Sequence, residues 1–135
     1  LPAPYTVSDG VAVDLSGNQL INSPELTVSL GGQYEFRLTG DYSLLARLDY
    51  YWQDEMYGRI FNRDPIDAID SWDVWNAQAT LLAPGETWFA RAFVKNIMDD
   101  DNVVGIFVTD PSSGVFTNVF TIEPRTYGLA VGYNF

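Results

Sequence analysis

The side chains in this sequence that could do chemistry are few and of limited kinds. There is no Cys and no His, which removes thiol nucleophiles, disulfides, the commonest general base and the commonest metal ligand. Carboxylates remain. Asp99, Asp100 and Asp101 form a run, and Asp64, Asp67 and Asp70 recur along one polar stretch. Either set offers the oxygen atoms that Ca²⁺ favours, but neither has the spacing of an EF-hand loop, and solvated loop tips are the preferred reading of both. Arg47 and Asp49 stand two apart, so on a strand they share a face. An ion pair facing solvent or another part of the protein is preferred there to a catalytic pair. No nucleophile elbow and no phosphate loop occur. No enzyme activity, cofactor or metal site is therefore expected. Tyr57, Phe61, Trp72, Phe107 and Phe116 lie in or beside polar stretches and could stack on a sugar or an apolar ligand; the competing reading is that they pack the links against one another.

The elements that position these residues are strands. At 135 residues the chain is one domain's worth, or one piece of a larger domain. No apolar run is long enough for a membrane-spanning helix. Apolar content is 47% while mean hydropathy is only −0.05, the averaging that alternating strands produce. The net charge of −11 argues against a nucleic-acid partner, which needs a Lys/Arg surface. The sequence begins at Leu1 without a signal peptide, as expected of a processed chain or a fragment.

Residues 1–25 are rich in Pro, Gly and Asn and alternate only at 11–15, so a long loop with one strand tip is expected. Period-two alternation then predicts strands at Leu26–Phe36, Ser43–Gln53, Trp72–Leu82, Thr87–Asn96 and from Arg125 to Phe135. The turns near T-G-D and A-P-G-E are short; the stretches 54–71 and 97–120 read as long polar links. Long and short connections alternate, the layout of an antiparallel up-and-down meander whose long links gather at one end. The expected fold is all-β, about five strands forming part of a larger transmembrane β-barrel. Five strands cannot close one, and an open edge in lipid leaves backbone groups unpaired.

One face of each strand is apolar. In the last strand it carries Tyr127, Leu129, Val131, Tyr133 and Phe135. With the strands alternating in direction, Tyr34, Phe36, Trp88, Tyr133 and Phe135 are expected near the short-turn end. Tyr50, Trp52, Trp75 and Tyr127 are expected near the long-link end, with aliphatic residues between. Two aromatic belts around an aliphatic band suit a lipid-facing surface. No charge is expected on that face; Glu35, Arg47, Asp49, Arg91 and Lys95 fall on the opposite one, where a lumen would be. An Arg or Lys facing lipid at mid-depth would cost about 2–4 kcal/mol.

Several stretches carry a resemblance. The final strand, ending on Phe135 with apolar residues at 133, 131, 129 and 127, resembles the C-terminal strand of bacterial outer-membrane barrels. N-S-P-E-L-T-V-S-L-G-G-Q-Y-E-F at 22–36, L-D-Y-Y-W-Q-D-E-M-Y at 48–57, W-N-A-Q-A-T-L at 75–81, F-V-K-N-I-M-D at 93–99 and P-R-T-Y-G-L at 124–129 resemble, in this order, segments of a TonB-dependent receptor barrel. Ile97 and Met98 depart from that family's usual residues, and its plug and energy-coupling box have no match. The resemblance covers about residues 14–135. It implies an outer-membrane location and energised uptake of a scarce nutrient such as a siderophore, cobalamin or oligosaccharide. It implies as partners the lipid, the remainder of the barrel and its plug, the TonB system through that plug, and the barrel-assembly machinery, which would read Phe135, Tyr133, Val131, Leu129 and Tyr127. Residues 1–25 would be an extracellular loop and strand tip, and 26–135 the C-terminal strands. The alternatives are a porin-like structural subunit and a soluble β-sandwich that binds carbohydrate.

Overall fold

The computed structural model describes residues 14–109, 112, 114 and 116–134. Most of the expected strand tip at 11–15 lies outside the described residues, as does Phe135.

The main body is one five-stranded antiparallel sheet in the order β1 (Thr27–Arg37), β2 (Ser43–Gln53), β5 (Trp72–Leu82), β6 (Trp88–Lys95) and β9 (Thr126–Tyr133). Each strand pairs with the sheet strand next to it in sequence, the meander that the alternation predicts. The sheet is open, with β1 and β9 as its edges. Both short turns put two successive residues in the left-handed region: Gly40 and Asp41 at φ 73° and 59°, Gly85 and Glu86 at φ 63° and 54°. Successive left-handed residues reverse a chain with the twist that paired strands need.

The links are more structured than the sequence predicts. Within 54–71, β3 (Met56–Tyr57) pairs with β4 (Ala68–Ile69). Within 97–120, read from sequence as a link, β7 (Val103–Val108) pairs with β8 (Thr117–Thr121), with a bulge between Val103 and Gly105. β7 is half-buried along most of its length and β8 is exposed, and V-V-G-I-F-V does not show the clean alternation of a one-sided sheet. Ile106 is held directly over Gly58, where any Cβ would collide with it.

Burial is inverted relative to an ordinary sheet protein. Among the described residues the buried apolar ones are Met56, Ile69 and Ala83, and the large side chains below 2% exposure are Ile69 and Asp67. Three of these four belong to the links; the sheet's apolar residues are half-buried over most of β2, β5 and β6 and strongly exposed on the edge strand β9, Leu129 by 84% and Val131 by 78%.

Candidate functional site

The register places the apolar residues in rows across the sheet. Starting from the turn end, Trp88 pairs with Tyr133. The second row is Phe36, Leu44, Leu81, Ala90 and Val131, and the third Tyr34, Ala46, Ala79, Ala92 and Leu129. The fourth is Gly32, Leu48, Ala77, Val94 and Tyr127. Leu30, Tyr50 and Trp75 follow, then Val28, Trp52 and Asp73. Tyr34 meets Phe36 edge-on with centroids 4.7 Å apart, and Tyr50 lies 4.4 Å from Trp75. The middle of the face is a shallow trough of about 790 Å³ floored by small residues such as Gly32, Ala46 and Ala79.

The aromatics do not follow the rows. At the turn end they occupy the second and third rows in β1 but the first row in β6 and β9. At the link end they occupy the fifth and sixth rows in β2, the fifth in β5 and the fourth in β9. Both lines step down the rows in the same sense, by about one residue per strand. One correction is needed: Asp73 pairs with Trp52 and so lies on the apolar face, which the sequence reading held free of charge. It sits one row beyond Trp75, outside the aromatic line on its own strand.

The opposite face is mixed: it holds charged and polar residues together with Leu45, Tyr51, Val74, Leu82, Phe89 and Phe93. Arg47, Asp49, Arg91 and Lys95 all lie on it, as alternation places them. Arg47 donates twice to Asp49, at 2.7 and 2.8 Å, Arg91 Nε donates to Thr80 Oγ1 at 3.3 Å, and Lys95 lies 3.9 Å from Glu123. Both Arg47 and Asp49 are well exposed. Phe93 and Phe89 lie across β9, over Gly128 and Gly132, where a Cβ would meet the rings. Those glycines, small residues between the apolar ones in the sequence, are the seats of two aromatic rings.

The links are cross-stitched into a crown at the other end. Asp67 is fully buried, and its carboxylate accepts from the Arg59 guanidinium and, at 3.0 Å, from the Arg63 backbone N–H. This corrects the reading of Asp67 as part of a solvated loop tip: a buried carboxylate is tolerated only when paired and hydrogen-bonded. Asp64 and Asp70 remain exposed. Asn62 exchanges hydrogen bonds with the Gln19 backbone, tying 14–22 to this link. Burial, with the carboxylates of Asp64 and Glu55 nearby, pushes the Tyr57 phenol up.

Two sequence motifs prove to be one physical unit. Asn96 is buried; its amide donates to the carbonyls of Asp100 and Glu123, and its side-chain oxygen accepts from Asp100 N–H. Asp99 accepts from the Arg125 backbone N–H at 2.9 Å and from its guanidinium at 3.1 Å, while Arg125 also reaches the carbonyl of Ile97. The segment 93–99 is thus clamped to 124–129 where β9 begins. Among the described residues no three carboxylates gather as a metal site.

The five aromatics flagged as ligand-loop candidates do not converge. Tyr57 is in β3; Phe61 is flanked by Arg63 at 5.4 Å and Arg59 at 6.0 Å. Phe107 and Phe116 are exposed on and beside the β7–β8 hairpin. Trp72 opens β5, 5.2 Å from Tyr51. It alone of the five lines a groove of about 430 Å³ between the 65–72 link and the hairpin. Its indole N–H is buried with no hydrogen-bond partner among the described residues.

No family model matches the chain, and no curated protein or solved structure matches it significantly.

Proposed function

We propose that this chain is a wall segment of an outer-membrane β-barrel of the TonB-dependent receptor kind, serving energised uptake of a nutrient. The observation that carries the reading is the oblique course of the two aromatic lines across the apolar face. If each line marks a level membrane interface, a step of about one residue per strand corresponds to a strand tilt of roughly 30–35°, given strand rise and spacing. Transmembrane barrels tilt by about 35–45°. A water-soluble sandwich gives no reason for aromatics to keep two levels in an external frame. The exposed aliphatic band between the lines, the position of Asp73 beyond the outer one, and the charges on the opposite face all agree with lipid on one side and an aqueous lumen on the other. The two open edges fit a sheet completed by further strands. No helix among the described residues is long and apolar enough to cross a membrane.

The receptor assignment, as against a passive porin, is supported by the joining of two family-like motifs through Asp99 and Arg125. In this reading Phe135 with Tyr133, Val131, Leu129 and Tyr127 is the assembly signal. Deleting Phe135 from the protein expressed in its native membrane should sharply reduce the heat-modifiable folded form in outer-membrane fractions. An unchanged amount, or a protein that stays monomeric without detergent, would overturn the barrel reading.

A further inference from the structure

We propose that Phe89 and Phe93 are register keys: with Gly132 and Gly128 as their seats, they admit β9 to the edge of β6 in one register alone. This goes beyond the uptake reading and holds whether the sheet meets lipid or water.

Something must choose that register. The tight turns fix β1 against β2 and β5 against β6. β6 and β9 are instead joined through residues 96–125, and a connection of that length leaves the pairing free to slide. A slip of one residue would turn every apolar side chain of β9 to the opposite face, and the alternation excludes it. A slip of two keeps the faces. It sets Tyr127 or Val131 in place of Leu129 opposite Ala92, and all three are large and apolar. The apolar face of β9 therefore does not distinguish its own register from those two residues away.

The other face does. Phe93 pairs with Gly128 and Phe89 with Gly132, and each ring lies over its glycine. A Cβ at Gly128 would stand 2.6 Å from Phe93 Cζ, and one at Gly132 as close to Phe89 Cζ. Neither glycine has a positive φ, so the backbone does not require glycine at either place. Glycine weakens a strand interior unless something approaches it closely, and here the rings do. The spacings match: the phenylalanines are four apart on β6 and the glycines four apart on β9. Sliding β9 by two would bring Ala130 and Asn134, or Thr126 and Ala130, opposite the rings, and both seats would be lost. Sliding it by four leaves at most one ring seated. The Arg91 guanidinium lies 5.5 Å from the Phe89 ring, a further contact that holds that key in place. On the barrel reading the consequence is global, because the registers around a closed sheet sum to the shear that sets tilt and bore.

The test uses the full-length protein in the membrane or buffer in which it folds. The sequence has no Cys, so introduced pairs report the register directly. Thr87 accepts from Asn134 N–H at 2.8 Å, which makes Ala92 and Leu129, five rungs on, a close pair without ladder hydrogen bonds. Ala92→Cys is combined with Leu129→Cys, in register, or with Tyr127→Cys or Val131→Cys, each two residues off. Diagonal partners lie about 7–8 Å apart, beyond the roughly 4.4–6.8 Å that a disulfide spans. The protease-resistant protein is oxidised and its linked peptides are identified by mass; in-register links should dominate.

Phe89→Ala with Phe93→Ala should lower the ratio of in-register to two-off links about tenfold, the scale of two lost cross-strand contacts. Gly128→Ala with Gly132→Ala, which keep the rings and fill the seats, should cut the folded yield. Combining all four substitutions removes the collision and should restore the yield while the ratio stays low. Asp99→Asn loosens the half-exposed clamp at the entry to β9 without touching the rings, and should leave the ratio within about twofold. An unchanged ratio without the rings, a yield that the combined variant does not restore, or an Asp99→Asn effect as large as that of the rings would overturn the proposal.

Discussion

The sheet and the crown of links solve opposite solvation problems. In the sheet, large apolar residues such as Leu129, Val131 and Tyr127 are 78–84% exposed. In the crown, the driest large residues are Ile69 and an aspartate, Asp67. Charge divides the same way. The sheet and its turns hold four basic residues, Arg37, Arg47, Arg91 and Lys95, against four acidic ones, Glu35, Asp41, Asp49 and Glu86, not counting Asp73 at the link end. The whole net charge of −11 therefore falls outside them: −7 on the two long links, −3 on residues 1–26 and −1 on Asp73. A water-soluble sheet of this size would bury its apolar face, because burial is its main source of stability. The crown follows that rule, with a small dry centre and charged surroundings. On the barrel reading proposed above, the sheet relies on an apolar environment outside itself, whereas the crown supplies its own.

Three substitutions would break or sharpen that contrast. Leu129→Arg has the largest expected effect. It places a charge in the aliphatic band, at a cost of about 2–4 kcal/mol in a bilayer, and should nearly abolish folded protein in the membrane fraction. If yield and heat-modifiability do not change, that face meets water and the contrast disappears. Asp67→Ala comes next, because it strips Arg59 of its buried partner. Breaking a fully buried pair costs about 3–5 kcal/mol, and Arg59, 30% exposed, can regain some hydration, so about 2–3 kcal/mol is expected. Hydrogen exchange should accelerate across 56–69 while the β2–β5 pairing keeps its protection; global loss of protection would mean that the crown and sheet are one cooperative unit. Asp99→Asn has the smallest effect. The clamp to Arg125 is nearly half exposed on both sides, so a loss below about 1 kcal/mol is expected. It should be visible as faster exchange at the start of β9 and undetectable in the crown.

The sheet was legible in the sequence because each of its strands separates two unlike environments. The bounds of β2 and β5 coincide with the alternation at Ser43–Gln53 and Trp72–Leu82, and β1 differs by one residue at each end. Asp73 has the parity of the apolar face, and its charge shows there only when the alternation is followed past Trp75 to the start of the strand. The hairpin was hidden for a physical reason. V-V-G-I-F-V at 103–108 is a continuous apolar run broken by a glycine and a bulge, and such a run carries no face. Nothing in the spacing of Asp64, Asp67 and Asp70 says which one goes inside; that is decided by where the folded link brings Arg59. The groove beside Trp72 was half legible. Trp72 was among the candidates, but its neighbours Asn102, Ile106 and Val119 come from a part of the chain that only the fold brings near.

The meander has a further consequence, for how the molecule can change. Every rung of the main sheet joins strands that are neighbours in the sheet's own order of synthesis, so each new strand can add to an edge that already exists. The connections at the turn end are fixed by paired left-handed residues and tolerate little alteration. Those at the other end are governed by loop closure, where each doubling of length costs only about 0.6 kcal/mol. Insertions, deletions and whole new hairpins can therefore accumulate between β2 and β5 or between β6 and β9 while the wall that carries them stays in register. The β7–β8 hairpin has the form of such an addition: a separate two-stranded unit hung between Asn102 and Ile122, whose backbones are joined by a 2.9 Å hydrogen bond at its base.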